Sequence, residues 1–100
     1  MPAVVVNVLH FKKSVDLALF EKAEDELGRA MRDIDGFRGL QVVQTGEAEV
    51  VLLIFGESAD ALDRIATEVG SPWMAANVVP LLAGPPERRV GALIASAASG

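Results

Sequence analysis

The stretch AVVVNVLHF (residues 3–11) is dominated by β-branched valine and is too short for a globular helix, so it predicts a first strand. Period two places Val5, Asn7, Leu9 and Phe11 on one face and Val4, Val6, Val8 and His10 on the other. Both faces are mostly apolar, the pattern of a strand covered on two sides. After it, Phe20, Ala23, Leu27, Met31 and Ile34 recur at three- and four-residue steps and predict a helix over residues 15–34, with Ser14 as its N-cap. Glu21, Lys22, Asp25, Arg29, Arg32 and Asp33 form its solvated side, and Gly36 ends it.

Residues 40–45 and 49–55 predict two strands joined as a hairpin by Gly46, Glu47 and Ala48. The second, VVLLIF at its heart, is again apolar on both faces and belongs in the middle of the sheet beside the first strand. Ser58 caps another helix whose Ala59, Leu62, Ile65, Ala66 and Val69 face inward, with Arg64 and Glu68 spaced for a weak exposed ion pair. Gly70, Ser71 and Pro72 should break it, and residues 73–82 should form a second helical piece at an angle. A Gly-Pro-Pro turn leads to a fourth strand over residues 88–95, and residues 96–100 should fray.

The order is β-α-β-β-α-β, an α+β, ferredoxin-like arrangement with an antiparallel four-stranded sheet. Right-handed crossovers put both helices on one face. The other face would expose an apolar patch larger than monomers normally show, and a homodimer through that open face is the economical remedy.

Length and composition narrow the rest. One hundred residues, 51% hydrophobic, predict one domain over residues 1–100 that has difficulty hiding its apolar surface alone. A net charge of −5 disfavours nucleic acid, and Lys12, Lys13, Arg88 and Arg89 are read as solvated strand ends. No uncharged apolar run reaches the ~20 residues of a membrane span, because charges or prolines interrupt each candidate. The start lacks a signal-peptide pattern, and with no cysteine the expected location is cytoplasmic. No phosphate loop, zinc spacing or Ser-His-Asp order is present, so no cofactor and no metal are expected.

Few residues carry candidate chemistry. Asn7 interrupts an apolar face, so its amide either satisfies backbone groups or looks into a pocket, where it could hold a substrate carbonyl or phenolate. His10 is the only histidine, either a general base or a strand-end residue on the dimer face. Trp73 and Asn77, four apart, could stack on and hydrogen-bond a flat aromatic ligand, or simply pack. Phe20, Leu27 and Ile65 are read as core or as the apolar wall of a substrate pocket.

Two stretches carry a resemblance. IDGFRGLQVVQ (34–44) resembles the PGF-G turn of the antibiotic biosynthesis monooxygenase family, with Asp35 where proline is common, and SPWMAANVVPLLAGPPE (71–87) resembles the ending of the same family. The resemblance implies a dimeric α/β barrel, with a pocket between sheet and helices in each subunit. Known members include cofactor-independent oxygenases of aromatic phenols, so the expected function is a cofactor-independent monooxygenase acting on a small aromatic phenol or quinol, with Asn7 and His10 as its candidate catalytic residues and Asn7, Phe20, Leu27, Ile65, Trp73 and Asn77 as candidates for binding the substrate. The alternative is a non-catalytic small-ligand binder or degenerate member. In the family's haem-degrading branch Asn7 would match the first-strand asparagine. Asn77, however, stands in place of the iron-ligating histidine and Ile65 or Ala66 in place of the tryptophan, which argues against haem chemistry.

Overall fold

A computed structural model describes residues 2–97 of the chain. Strands β1 (Ala3–His10), β2 (Phe37–Gly46), β3 (Glu49–Gly56) and β4 (Glu87–Ala92) form one antiparallel sheet in the order β2-β3-β1-β4. The two strands with two apolar faces therefore lie at its centre, as their sequence predicts. In register, Asn7 lies between Leu52 of β3 and Arg88 of β4. β2 and β3 make a hairpin, with bulges near Gly39 and Gly46.

Both helical regions cross the same face of this open sheet. The first comprises α1 (Leu17–Lys22), a π-helical turn (Ala23–Leu27) and α2 (Gly28–Arg32); the second comprises α3 (Ala59–Ile65), a π-helical turn (Ala66–Gly70), α4 (Ser71–Asn77) and a short 3-10 turn at Val79–Leu81. Leu27, Met31, Leu62 and Ile65 pack onto Ala3, Val5, Leu52 and Ile54, and a second group of Leu9, Phe11, Val50, Val78 and Leu82 closes the other end. Each such aliphatic side chain contributes about 1.5–3 kcal/mol on burial. On the far face, Val4, Val6 and Val8 lie beside Phe55, Leu53 and Val51, and no helix covers them.

Several details depart from the sequence pattern. The first helix is capped by Asp16, whose Oδ1 accepts from the Ala18 N–H at 3.0 Å, and not by Ser14. Val15 N–H donates to the Glu47 carbonyl, which keeps the chain extended past Ser14, and the Ser14 hydroxyl donates to the Glu47 carboxylate instead. The expected break at residues 70–72 is replaced by the second π turn. Pro72 has no N–H to give the Glu68 carbonyl and its ring would crowd it, so the chain shifts register, with Ser71 N–H bonding the Ala66 carbonyl. Arg64 forms no ion pair with Glu68 among the described residues and donates to the Asp35 carbonyl at 3.2 Å instead.

β4 stops at Ala92, short of the expected residue 95, because Ala92 pairs with Ala3, the first residue of β1. Beyond it only Leu93 N–H, donating to the Pro2 carbonyl, continues the ladder. Of the tail expected to fray, residues 98–100 lie outside the described residues.

The first crossover closes on Gly36, the described residue with positive φ (91°), where an added Cβ would lie 2.7 Å from the Ala61 Cβ. Its carbonyl accepts from the Glu57 N–H, locking the end of β3 to the turn. Gly36→Ala combines left-handed strain, about 1–2 kcal/mol, with overpacking of about 1–3 kcal/mol. Urea unfolding should show a loss of at least about 2 kcal/mol, and an unchanged midpoint would contradict this account.

Candidate functional site

Between the sheet and the second helical region lies a cavity of about 350 Å³, within the range of about 300–1,000 Å³ usual for small-molecule sites. Its floor is the central row of the sheet, Asn7, Leu52 and Arg88, with Val5 and Ile54 beside them. Its roof is Leu27 and Met31 from the first helical region and Leu62, Ala66, Gly70, Ser71 and Met74 from the second. Both π turns contribute, through Leu27 and through Ala66 and Gly70. Such turns widen a helix and re-aim the residues that follow, and they recur at functional sites.

The cavity is apolar except at one end, where Asn7, Ser71 and Arg88 line it. Among the described residues the Asn7 amide makes no hydrogen bond with the protein, and no half-buried or buried side-chain polar atom is both sealed from solvent and unpaired. The amide is therefore open, through the cavity, to whatever enters. Both of its functions, donor and acceptor, are free for a ligand.

The other residues singled out in the sequence fall in different places. Leu27 joins Asn7 in the wall, whereas Ile65 is fully buried in the core behind it. Phe20 packs edge-on against Phe11, ring centroids 6.0 Å apart, and lines a second, larger groove of about 700 Å³ between α1 and β2. That groove is walled by charges of both signs, Glu21, Glu24, Arg32 and Arg38, with no polar group aimed in from a buried position.

Trp73 and Asn77 share one face of α4, as their spacing predicts, but the cavity is lined by Ser71 and Ala75, roughly opposite on a helix turning about 100° per residue, and by Met74 to one side. The Trp73 indole N–H lies 3.5 Å from Glu26, and Asn77 accepts from Lys22 Nζ at 3.0 Å while donating to the Trp73 carbonyl at 2.9 Å. These contacts tie α4 to the first helical region. They hold the roof in place from behind.

His10 lies on the opposite side of the sheet from Asn7. Its Nε2 is 2.9 Å from a Glu87 carboxylate oxygen and its Nδ1 3.4 Å from one of Glu49, so a protonated ring donates to both. The sheet separates it from the cavity.

Two wall residues escaped the sequence pattern. Arg88 was placed with the solvated strand ends, yet the register with Asn7 puts it on the cavity floor. Ser71 was read only as part of a helix break. The available signal was the alternation of β4, since Arg88 and Val90 share a face, but only strand pairing shows that this is the face of Asn7.

No family model matches the sequence, and no curated protein is similar to it. Solved structures are similar in fold. The ActVA-Orf6 monooxygenase of Streptomyces coelicolor, solved with the ligand nanaomycin D, superimposes with a TM-score of 0.77 at 20% identity, over 98% of this chain and 92% of that one. SnoaB, a cofactor-independent oxygenase from Streptomyces nogalater, gives 0.74 at 15% identity over 95% of both chains. NE2512, a protein of unknown function from Nitrosomonas europaea, gives 0.79 at 15% identity over 99% of this chain and 95% of that one. With its open four-stranded sheet, two helical regions on one face and a cavity between them, the chain has the fold of the antibiotic biosynthesis monooxygenases.

Proposed function

We propose that the protein is a cofactor-independent monooxygenase that oxidises a small aromatic phenol or quinol in the cavity between sheet and helices. The observation that carries this reading is the Asn7 amide, unpaired and open at the polar end of an otherwise apolar cavity. The fold of oxygenases that work without a cofactor supports it. Such chemistry asks little of the protein. An anthrone-type substrate loses a proton to give an electron-rich enolate, which reduces dioxygen and adds it at the same carbon. Loss of water from the resulting hydroperoxide leaves one oxygen atom as the new quinone carbonyl. All the electrons come from the substrate.

Asn7 would donate to the substrate oxygen on which negative charge accumulates, and the apolar walls would hold the ring and strengthen that bond by excluding water. The cavity wall contains no imidazole or carboxylate, and His10 is on the other face of the sheet. The proton therefore leaves to solvent or through an ordered water. This absence of a base also favours a second reading, a binding module that leaves its ligand unchanged.

We also propose that two copies pack through the open faces of their sheets, burying Val4, Val6, Val8, Val51, Leu53 and Phe55. His10, Glu49 and Glu87 would then lie at the rim of that interface.

Oxygen uptake with anthrone- and quinol-type compounds should exceed the buffer rate. Asn7→Leu should lower that rate by about 10²–10³, the usual effect of losing one charge-stabilising donor. Because the amide makes no protein hydrogen bond, the same variant should keep its stability to within about 1 kcal/mol. Ligands that raise the melting temperature without any oxygen uptake would replace the oxygenase by the binding module. Light scattering at micromolar concentration should give a dimer, and Val6→Asp should yield a folded monomer. A wild-type monomer would remove the interface.

A further inference from the structure

The cavity has a sign. Its wall carries one formal charge, the guanidinium of Arg88, and no carboxylate. Arg88 sits on β4 directly across from Asn7, so the two side chains rise from neighbouring strands on the same face, and both line the cavity, as does Ser71 of α4. Among the described residues Arg88 forms no ion pair. The acid next to it in sequence, Glu87, points to the other face and is engaged by His10 at 2.9 Å. Arg88 thus lines the cavity without an ion-pair partner among the described residues, in a chain whose net charge is −5.

We infer that this site selects a flat, apolar molecule bearing an oxyanion, a carboxylate or an acidic phenol, whose charged oxygen is held by Arg88 and whose neighbouring oxygen is held by the Asn7 amide. The inference deepens the reading of the cavity as the substrate site and rests on it. A guanidinium presents two parallel N–H groups in the geometry that a carboxylate accepts, and it stays charged at any working pH. Its hydrogen bonds to an anion are about twice as strong as neutral ones. For an acidic phenol the same charge stabilises the phenolate, the form that gives up electrons to dioxygen, so Arg88 does part of the work of a base that the cavity lacks. The field of the whole chain runs the other way: its excess negative charge repels anions from the rest of the surface. A preference for an anion must therefore be local to this end of the cavity.

The test uses a matched pair of probes, 2-naphthoate and 2-naphthamide, equal in shape and different in charge, titrated calorimetrically into the full chain and into Arg88→Gln. In the wild type the acid should bind roughly tenfold more tightly or better, the difference expected of a hydrogen bond to a charged group. That difference should shrink as salt is raised from 20 to 500 mM, by roughly the factor expected for a partly exposed ion contact. Arg88→Gln should bring the two probes to within about twofold of each other, with the amide's affinity unchanged. Arg88 lies exposed on an edge strand, so the variant should fold, and its melting temperature provides the check. Equal binding of acid and amide by the wild type overturns the inference while leaving the cavity as a ligand site. A preference for the acid that survives in Arg88→Gln overturns it too, by placing the anion elsewhere. Failure of both probes to bind overturns the inference together with the reading of the cavity, a result that oxygen uptake by neutral anthrones would report independently.

Discussion

The packing of Leu27, Met31, Leu62 and Ile65 onto β1 and β3 is the contact on which the rest of the structure depends. It joins the two halves of the chain, since the helical regions come from separate crossovers and both pack on the central strands. It takes up the buried residues of both helical regions. The opposite face of the same two strands, equally rich in valine and leucine, receives no helix. An asymmetry of this kind is what separates a sheet that is complete in itself from one built to meet another apolar surface.

The cavity is a consequence of the same packing. Residues of both π turns line it, Leu27 in the first region and Ala66 and Gly70 in the second, because such a turn displaces the residues that follow. In the second region the cause can be traced to Pro72, whose missing N–H makes the α-helical register unavailable at that point. The helix continues through the shift, so Ser71, Met74 and Ala75 turn toward the sheet while Trp73 and Asn77 turn toward the first helical region. Asn7, Ser71 and Arg88 supply the polar part of its lining.

Electrostatically the two faces of the sheet divide the polar residues of β1 and β4 between two roles. His10 lies between Glu87 and Glu49 at the edge of the open face, within hydrogen-bond distance of Glu87 at 2.9 Å. Arg88, one residue along, is turned to the helical face and keeps its charge uncompensated. Adjacent residues in a strand point to opposite sides, so a pair that looks like a simple charge cluster in sequence serves two separate surfaces.

The alternation of valines in β1 and the unbroken VVLLIF of β3 were enough to determine that these strands are central and that the sheet has two apolar faces, because side-chain direction in a strand follows from sequence parity alone. Helix periodicity likewise located the inward faces around Leu27 and Leu62, and Asn7 stood out as the polar interruption of an apolar face. Ser14 as a cap, the break at Pro72 and the ion pair of Arg64 with Glu68 were misjudged, since each depended on a hydrogen bond made by a residue far away in sequence or on a shift in helical register. Parity could say that Arg88 shares a face with Val90 but not which face that was. Only the pairing of β4 with β1 put the guanidinium beside the amide, and only tertiary packing turned Trp73 and His10 away from both, because register between strands and rotation of a helix about its axis are decided by contacts that no single segment contains.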